Sequence, residues 1–284
     1  MWATAVGVAR VRALESERED ALFHDPLARA FAVAGGRWPA PPPPSGDGPG
    51  DGPGDGGGEG EAARRRRLAV AFSIVVRTRF LDDLLREAGA AGIRQVVLLG
   101  AGMDSRAFRM DWPEGTRLFE VDTAEPLDFK AAVLREQGAR ARCSRSTVAV
   151  DLREDWPGAL AAAGHDPGEP TVWIAEGLLI YLPREAVDLL LERVGACSAP
   201  GSRMGLTLGA RGVIERFAAD AAPGSAASMW VSEMPEDPVA WLAGHGWQAR
   251  CHTLRERAAA YGRPVSTPPQ HGEGPGGLVW ARRL

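Results

Sequence analysis

Cysteine is scarce and scattered: three in 284 residues, at Cys143, Cys197 and Cys251. None stands in a Cys-x-x-Cys pair, which argues against a zinc ribbon or a disulfide framework and points to a reducing, cytoplasmic compartment. An excess of charge of one sign is also missing. Lys and Arg number 33 against 37 Asp and Glu, a net charge of −4, so the chain carries no overall basic footprint for nucleic acid. No apolar run reaches the roughly 20 residues that a membrane-spanning helix requires. The opening Met-Trp-Ala-Thr-Ala-Val-Gly-Val-Ala-Arg is too short and too soon charged for a secretory leader. Neither a membrane nor a nucleic acid is therefore expected as a partner. His165, His245, His252 and His271 lack ligand spacing, and no metal is expected. What is present is 45% hydrophobic residues, enough for one large domain with a sizeable core.

The chain divides by composition. Residues 2–34 read as helical, with Val8, Val11 and Leu14 on a different face from Arg12, Glu15 and Glu19. Asp25-Pro26 looks like a cap before a second short helix over 27–33. Residues 39–60, almost entirely Pro, Gly, Asp and Ser, have little to bury and read as a flexible surface insertion. The basic run Arg64 to Arg67 reads as the solvated first turn of a helix over about 65–88, with a break near Arg77. The expected organisation is a helical cap over 1–38, the Pro/Gly-rich insertion over 39–63 and an α/β domain over 64–284.

From residue 95 onward the pattern alternates strand and helix. Strands are expected at 95–99, 117–121, 146–150, 171–175, 203–208, 246–253 and 277–282, and helices at 105–110, 125–136, 156–163, 184–196 and 238–244. The first four strands each run into a loop with chemistry in it: Gly100 and Gly102, then Asp122, Asp151 and Glu176. In an open parallel sheet, ligands sit at the carboxyl ends of strands, where the strand order reverses. Glycine lets backbone approach a ligand closely, and an acid at the tip of the next strand accepts from ribose hydroxyls.

A nicotinamide or flavin dinucleotide would call for a third glycine, but the loop reads Gly100-x-Gly102-x-x-Ser105 with Asp104 inside it. A carboxylate beside a pyrophosphate is repulsive. Asp104 thus favours a ligand with a cationic group, and S-adenosylmethionine carries an ammonium and a sulfonium. Asp122 suits its ribose, Asp151 and the N–H of Leu152 its adenine, Arg77 or Arg79 its carboxylate, and Glu176 its cationic end. A Rossmann-type NAD(P)-dependent oxidoreductase remains the competing reading of the same pattern.

At these residues the chain resembles the leucine carboxyl methyltransferase family of class I S-adenosylmethionine-dependent enzymes, and in particular its bacterial O-methyltransferase branch. The matching stretches include Ala21-Leu22-Phe23-His24-Asp25-Pro26-Leu27-Ala28, Arg77-Thr78-Arg79-Phe80-Leu81-Asp82-Asp83, Leu99-Gly100-Ala101-Gly102-Met103-Asp104-Ser105-Arg106, Phe119-Glu120-Val121-Asp122 and Ala175-Glu176-Gly177-Leu178-Leu179-Ile180-Tyr181-Leu182. The resemblance implies a Rossmann-like fold: a mostly parallel seven-stranded sheet with helices on both faces and an N-terminal helical cap. It implies that Arg77 lies by the cofactor carboxylate, Gly100 and Gly102 form the cofactor loop, Asp122 holds the ribose, Asp151-Leu152 reads the adenine and Glu176 lies by the methionyl end. It further implies methyl transfer to a carboxylate or hydroxyl of a small molecule of polyketide type, with protein carboxyl methylation as the chief variant. Candidate bases on the cap are Glu15, Asp20, His24 and Asp25, but no catalytic residue is assigned. Residues 207–232 are expected to shape the acceptor pocket, and the acceptor and the oligomeric state are not legible.

Overall fold

The computed structural model describes residues 2–38, 57–209, 229–232, 235–263 and 277–284. Most of the Pro/Gly-rich insertion, most of the stretch assigned to the acceptor pocket, and His271 lie outside the described residues.

Three helices precede the sheet: α1 (Trp2–Ser16), α2 (Ala28–Ala34) and α3 (Gly57–Ala90). Then follow β1 (Gln95–Leu99), α4 (Arg106–Arg109), β2 (Arg117–Asp122), α5 (Ala124–Glu136), β3 (Ser144–Ala149), α6 (Trp156–Ala162) and β4 (Thr171–Ala175). A single 3-10 turn at Leu179–Tyr181 leads into α7 (Arg184–Ala196), and the chain finishes with β5 (Arg203–Thr207), α8 (Pro238–Gly244), β6 (Trp247–His252), α9 (Leu254–Ala260) and β7 (Leu278–Arg283).

The strands form one seven-stranded sheet in the order β3-β2-β1-β4-β5-β7-β6. The first five run parallel, and β7 is antiparallel to both its neighbours. β1 pairs with β2 on one side and β4 on the other, for instance Leu98 with Glu120 and with Ile174. The connection from β1 therefore goes one way and the return to β4 goes the other, which opens a crevice at their carboxyl ends.

Side chains alternate across the sheet, as period two demands. Val96, Leu98, Leu118, Val172 and Ile174 join a core with α1, α2 and α3 through Val6, Phe31, Phe80, Leu81 and Leu84. Val97, Leu99, Phe119, Trp173 and Ala175 join a second core with α6, α7 and α8 through Trp156, Leu160, Val187, Leu190 and Leu242. Gly205 allows α3 to cross β5 closely, since a Cβ there would come within 2.4 Å of Leu84 and 2.6 Å of Leu81. The two-sided burial explains why β1 and β4 are buried at every position and, after Gln95 and Thr171 at their starts, apolar throughout rather than alternating.

Four local expectations change. α3 starts at Gly57, inside the stretch assigned to the insertion, because Glu61-Ala62-Ala63-Arg64 is a run of good helix formers. It also continues through Arg77 without a break. β3 is set two residues earlier at its start than the apolar pattern alone indicated, fixed by pairing from Arg117 with Ser144 to Asp122 with Ala149. α9 was not expected, although its signal is present: Thr253 caps Glu256 N–H and the Glu256 side chain returns to Thr253 N–H, a capping box. No described helix is long and apolar enough to cross a membrane.

Candidate active site

The crevice between β1 and β4 collects most of the residues singled out by the sequence. On the β1 side, the N–H groups of Gly100 and Ala101 donate to the carbonyl of Val121 at 2.9 and 3.1 Å, fastening the glycine loop to the end of β2. Gly102 N–H donates to Oδ2 of Asp122 at 2.7 Å, and Thr123 N–H to Oδ1 at 2.8 Å. Each carboxylate oxygen of Asp122 thereby keeps a free lone pair for an incoming hydroxyl. Gly102 adopts φ +40°, and a Cβ on it would sit 3.1 Å from that of Ala5 in α1. A side chain at this position would be strained and would push against the cover helix.

The cover is tied to the same loop. Arg12 in α1 donates through Nε to Oδ2 of Asp25 at 2.9 Å and through Nη2 to the carbonyl of Met103. Asp25 in turn receives Leu27 and Ala28 N–H on Oδ1, capping the start of α2.

On the β4 side stands Glu176. Its Oε1 accepts from Nε of Arg77 at 3.0 Å and from Thr78 Oγ1 at 3.4 Å, and its Oε2 from Nη2 of Arg106 at 2.8 Å. Burial by itself would raise this carboxyl's pKa, but the Arg106 and Arg77 guanidinium groups overcome that and hold it below the usual range. Gly177 follows at φ +62°, and its missing Cβ makes room for the Arg77 guanidinium, whose Nη2 would lie 3.0 Å from it. Among the described residues neither terminal nitrogen of Arg77 donates a hydrogen bond, so a planar pair of donors remains for a carboxylate.

Asp151 lies just beyond β3, half-buried, with its carboxylate held by the exposed Arg153: Oδ1 by the backbone N–H and Nε at 2.9 Å, Oδ2 by Nη2 at 2.6 Å. The hydrogen bonds from Arg153 hold its pKa down. Leu152 packs against the core on the α6 and α7 side.

This donor set fits S-adenosylmethionine. Arg77 and Glu176 present one cation and one anion side by side, the complement of the carboxylate and ammonium of an amino acid. Asp122 beside a glycine turn is the complement of a ribose diol.

Comparison with known proteins settles the family. The profile described as leucine carboxyl methyltransferase matches residues 5–195. The chain belongs to the leucine carboxyl methyltransferase family. A Streptomyces avermitilis protein provisionally named an S-adenosyl-L-methionine-dependent methyltransferase is 76% identical over 283 residues, covering 100% of this chain and 95% of that one. A Rhodococcus jostii protein of the same provisional name is 44% identical, covering 94% and 89%. Among solved structures, a DUF574 family protein from Streptomyces avermitilis superposes with a TM-score of 0.56 at 14% identity, covering 97% of each chain, a likeness of fold. These relationships displace the oxidoreductase reading.

Contrary to the expectation from the glycine loop, Asp104 is spoken for within this methyltransferase. Asp104 does not offer its charge to a ligand. Its Oδ1 accepts the backbone N–H of Arg106 at 2.7 Å and its Oδ2 accepts Nη1 of the same residue. Despite burial, Arg106, Lys130 and Arg12 lower its pKa to about 2. Arg79, the other candidate for the cofactor carboxylate, is engaged elsewhere, with Asp83 Oδ1 and the Leu22 carbonyl, both at 2.9 Å.

The residue that sequence reasoning missed is Arg106. It is fully buried and donates to Asp82 at 2.7 Å, to Asp104 and to Glu176, linking α3, the glycine loop and β4. Its place in the motif was plain, but nothing in spacing alone brings Asp82 and Glu176 to it.

The three acids among the candidate bases on the cap are engaged as well. Glu15 accepts Leu22 N–H at 2.8 Å and Arg263 Nη2 at 3.1 Å, Asp20 pairs with Arg18 at 2.9 Å, and Asp25 with Arg12. His24 is exposed. Tyr181 sits in the 3-10 turn. Among the described residues no cluster of His, Cys, Asp or Glu could hold a metal ion.

Proposed function

We propose that this S-adenosylmethionine-dependent methyltransferase methylates an oxygen of a small molecule, with an ionised carboxylate favoured over a hydroxyl. The observation that carries the reading is the pairing of each candidate acid on the N-terminal cover with an arginine, Glu15 with Arg263, Asp20 with Arg18 and Asp25 with Arg12, while the fourth candidate, His24, is exposed. A carboxylate held by a guanidinium is a poor proton acceptor. A phenol, with a pKa of about 10, profits from a base, whereas a carboxylate is already ionised at neutral pH.

The bound cofactor supplies an activated methyl group. The protein's own residues orient and exclude water. In this reading Arg77 takes the cofactor's carboxylate, Glu176 its ammonium and Asp122 its ribose hydroxyls. The loop of Gly100 and Gly102 backs its methionyl chain, and Asp151 with the N–H of Leu152 reads the adenine. The cap over 1–38 closes the crevice from above, and 64–284 form the cofactor-binding domain, with 39–63 between them. The resemblance to the bacterial branch supports a polyketide-type acceptor.

The test is transfer of a tritiated methyl group from S-adenosylmethionine to a panel of small carboxylic acids and phenols. A methyl ester releases methanol in mild alkali, and an ether does not. The expected result is alkali-labile label in small acids. Alkali-stable label would overturn the carboxylate preference, and label found only in added protein would overturn the small-molecule reading.

A further inference from the structure

Glu176 is approached from four elements. Arg77 and Thr78 reach it from α3 and Arg106 from α4, while Asp104 of the glycine loop and Arg12 of α1 act on it through space. The two arginines that touch it differ in freedom. The Arg77 side chain is 19% exposed and anchored to Glu176 through Nε alone, whereas that of Arg106 is 2% exposed. Arg106 is fixed at the far side by Asp82, which Arg109 also grips with bonds of 2.6 and 2.8 Å. One partner is held by a single hydrogen bond and the other by several.

We propose that Arg106 is the positioning residue for Glu176, keeping that carboxylate charged and aimed into the crevice when Arg77 turns to the carboxylate of the incoming cofactor. This rests on the assignment of Arg77 and Glu176 to the amino-acid end of S-adenosylmethionine. A buried carboxylate left without its cation takes up a proton, and as a neutral acid it no longer attracts an ammonium group. Arg106 prevents this by staying on Oε2 while Oε1, released by Arg77, becomes free for the ammonium. The same guanidinium holds Asp104, so the glycine loop and the end of β4 are set at a fixed separation across the crevice.

The experiment measures S-adenosylhomocysteine affinity by calorimetry from about pH 8 to about pH 5.5, the range in which an ordinary carboxylate stays charged. The charge-balanced variant Arg106→Gln with Asp104→Asn leaves Asp82 on Arg109 and Glu176 on Arg77, which favours folding. The wild-type profile is expected to be flat. The double variant is expected to lose affinity as pH falls, by roughly tenfold per pH unit below the new midpoint of Glu176. Adding Glu176→Gln removes that dependence. Unchanged affinity in Glu176→Gln alone would overturn the cofactor assignment. Weakened binding in Glu176→Gln with a flat profile in the folded double variant would overturn the role of Arg106 and leave the assignment standing. A measurement on the wild type guards against a variant that does not fold: carbon NMR of the glutamate carboxyl groups, with Glu176→Gln identifying the resonance. In the complex with S-adenosylhomocysteine Glu176 is expected to titrate below its ordinary 4.5, and a midpoint above that value would refute the inference.

Discussion

The backbone N–H of Gly102 donates to Oδ2 of Asp122 at 2.7 Å. The glycine turn after β1 and the acid at the tip of β2 are thus one unit, and the acid orders the loop as well as facing the crevice. Asp122→Ala removes both roles. With charged hydrogen bonds contributing about 1.5–3 kcal/mol each, S-adenosylhomocysteine affinity should fall tenfold or more, while Asp122→Asn loses less because it still accepts from Gly102. Equal affinity of Asp122→Ala and wild type in calorimetry would sink the assignment of Asp122.

Gly177 and Gly115 separate backbone strain from contact. Both have positive φ, +62° and +78°, but a Cβ at Gly177 meets the Arg77 guanidinium and one at Gly115 meets open space. Alanine at either position should cost about 1–2 kcal/mol of stability. Gly177→Ala alone should also weaken S-adenosylhomocysteine binding. Parallel thermal melts and binding curves decide the matter, and equal affinities in the two variants would refute the prediction.

Arg77 and Arg79 make a second contrast. Arg79 is engaged with Asp83 and the Leu22 carbonyl. Arg77→Ala should weaken cofactor binding tenfold or more, as expected for loss of a bidentate carboxylate contact, and Arg79→Ala should leave it nearly unchanged. The reverse order in a binding assay would exchange their roles.

Lys130, the single lysine of the chain, is fully buried against Glu120 at 2.8 Å, and Arg145 holds both oxygens of the same carboxylate at 2.9 and 2.7 Å. Removing one partner of a buried ion pair costs about 3–5 kcal/mol when a charge is left alone. Glu120→Gln strands Lys130 and should cost that much. Lys130→Met leaves Glu120 with Arg145 and should cost less. Urea unfolding of the two variants gives the comparison, and a greater loss in Lys130→Met would contradict it.

Acid stability should show the mark of Asp104. Its pKa is lowered from 3.8 to about 2, chiefly by Arg106 acting against burial. A depressed carboxyl stabilises the fold above its unfolded value, and that stabilisation is lost as pH falls through the folded one. For Asp104 the loss falls between pH 3.8 and about 2. Asp104→Asn should flatten this part of the unfolding free energy measured against pH, and an unchanged slope there would show that the carboxyl is not coupled to folding.

Most of the sheet was legible because its signals are local. After Gln95 and Thr171, β1 and β4 are continuous apolar runs followed by turn residues, and their ends fall where the sequence pattern puts them. The start of β3 was less legible because its residues, Ser144-Arg145-Ser146-Thr147, carry no apolar pattern and are held by pairing with β2. At the site, the positions of Gly102, Asp122 and Glu176 at strand ends were readable, since a strand end and a turn are both local features. The partners of Asp104 were not. A carboxylate reads as a free charge in sequence, and only the folded chain shows a guanidinium two residues on turned back upon it.

The sequence by itself determined most of the strand and helix run from residue 95, the glycine turn, and the acids that follow the first strands, because hydrophobic period and turn chemistry act over a few residues. It also determined the family. The tertiary structure decided which charges face one another: Arg106 reaches Asp82 and Glu176 from 24 and 70 positions away, and Arg77 reaches Glu176 across 99. Such pairings form only once α3 lies across the sheet and the ends of β1 and β4 stand side by side, and long-range contacts of that kind leave no periodic trace in the chain.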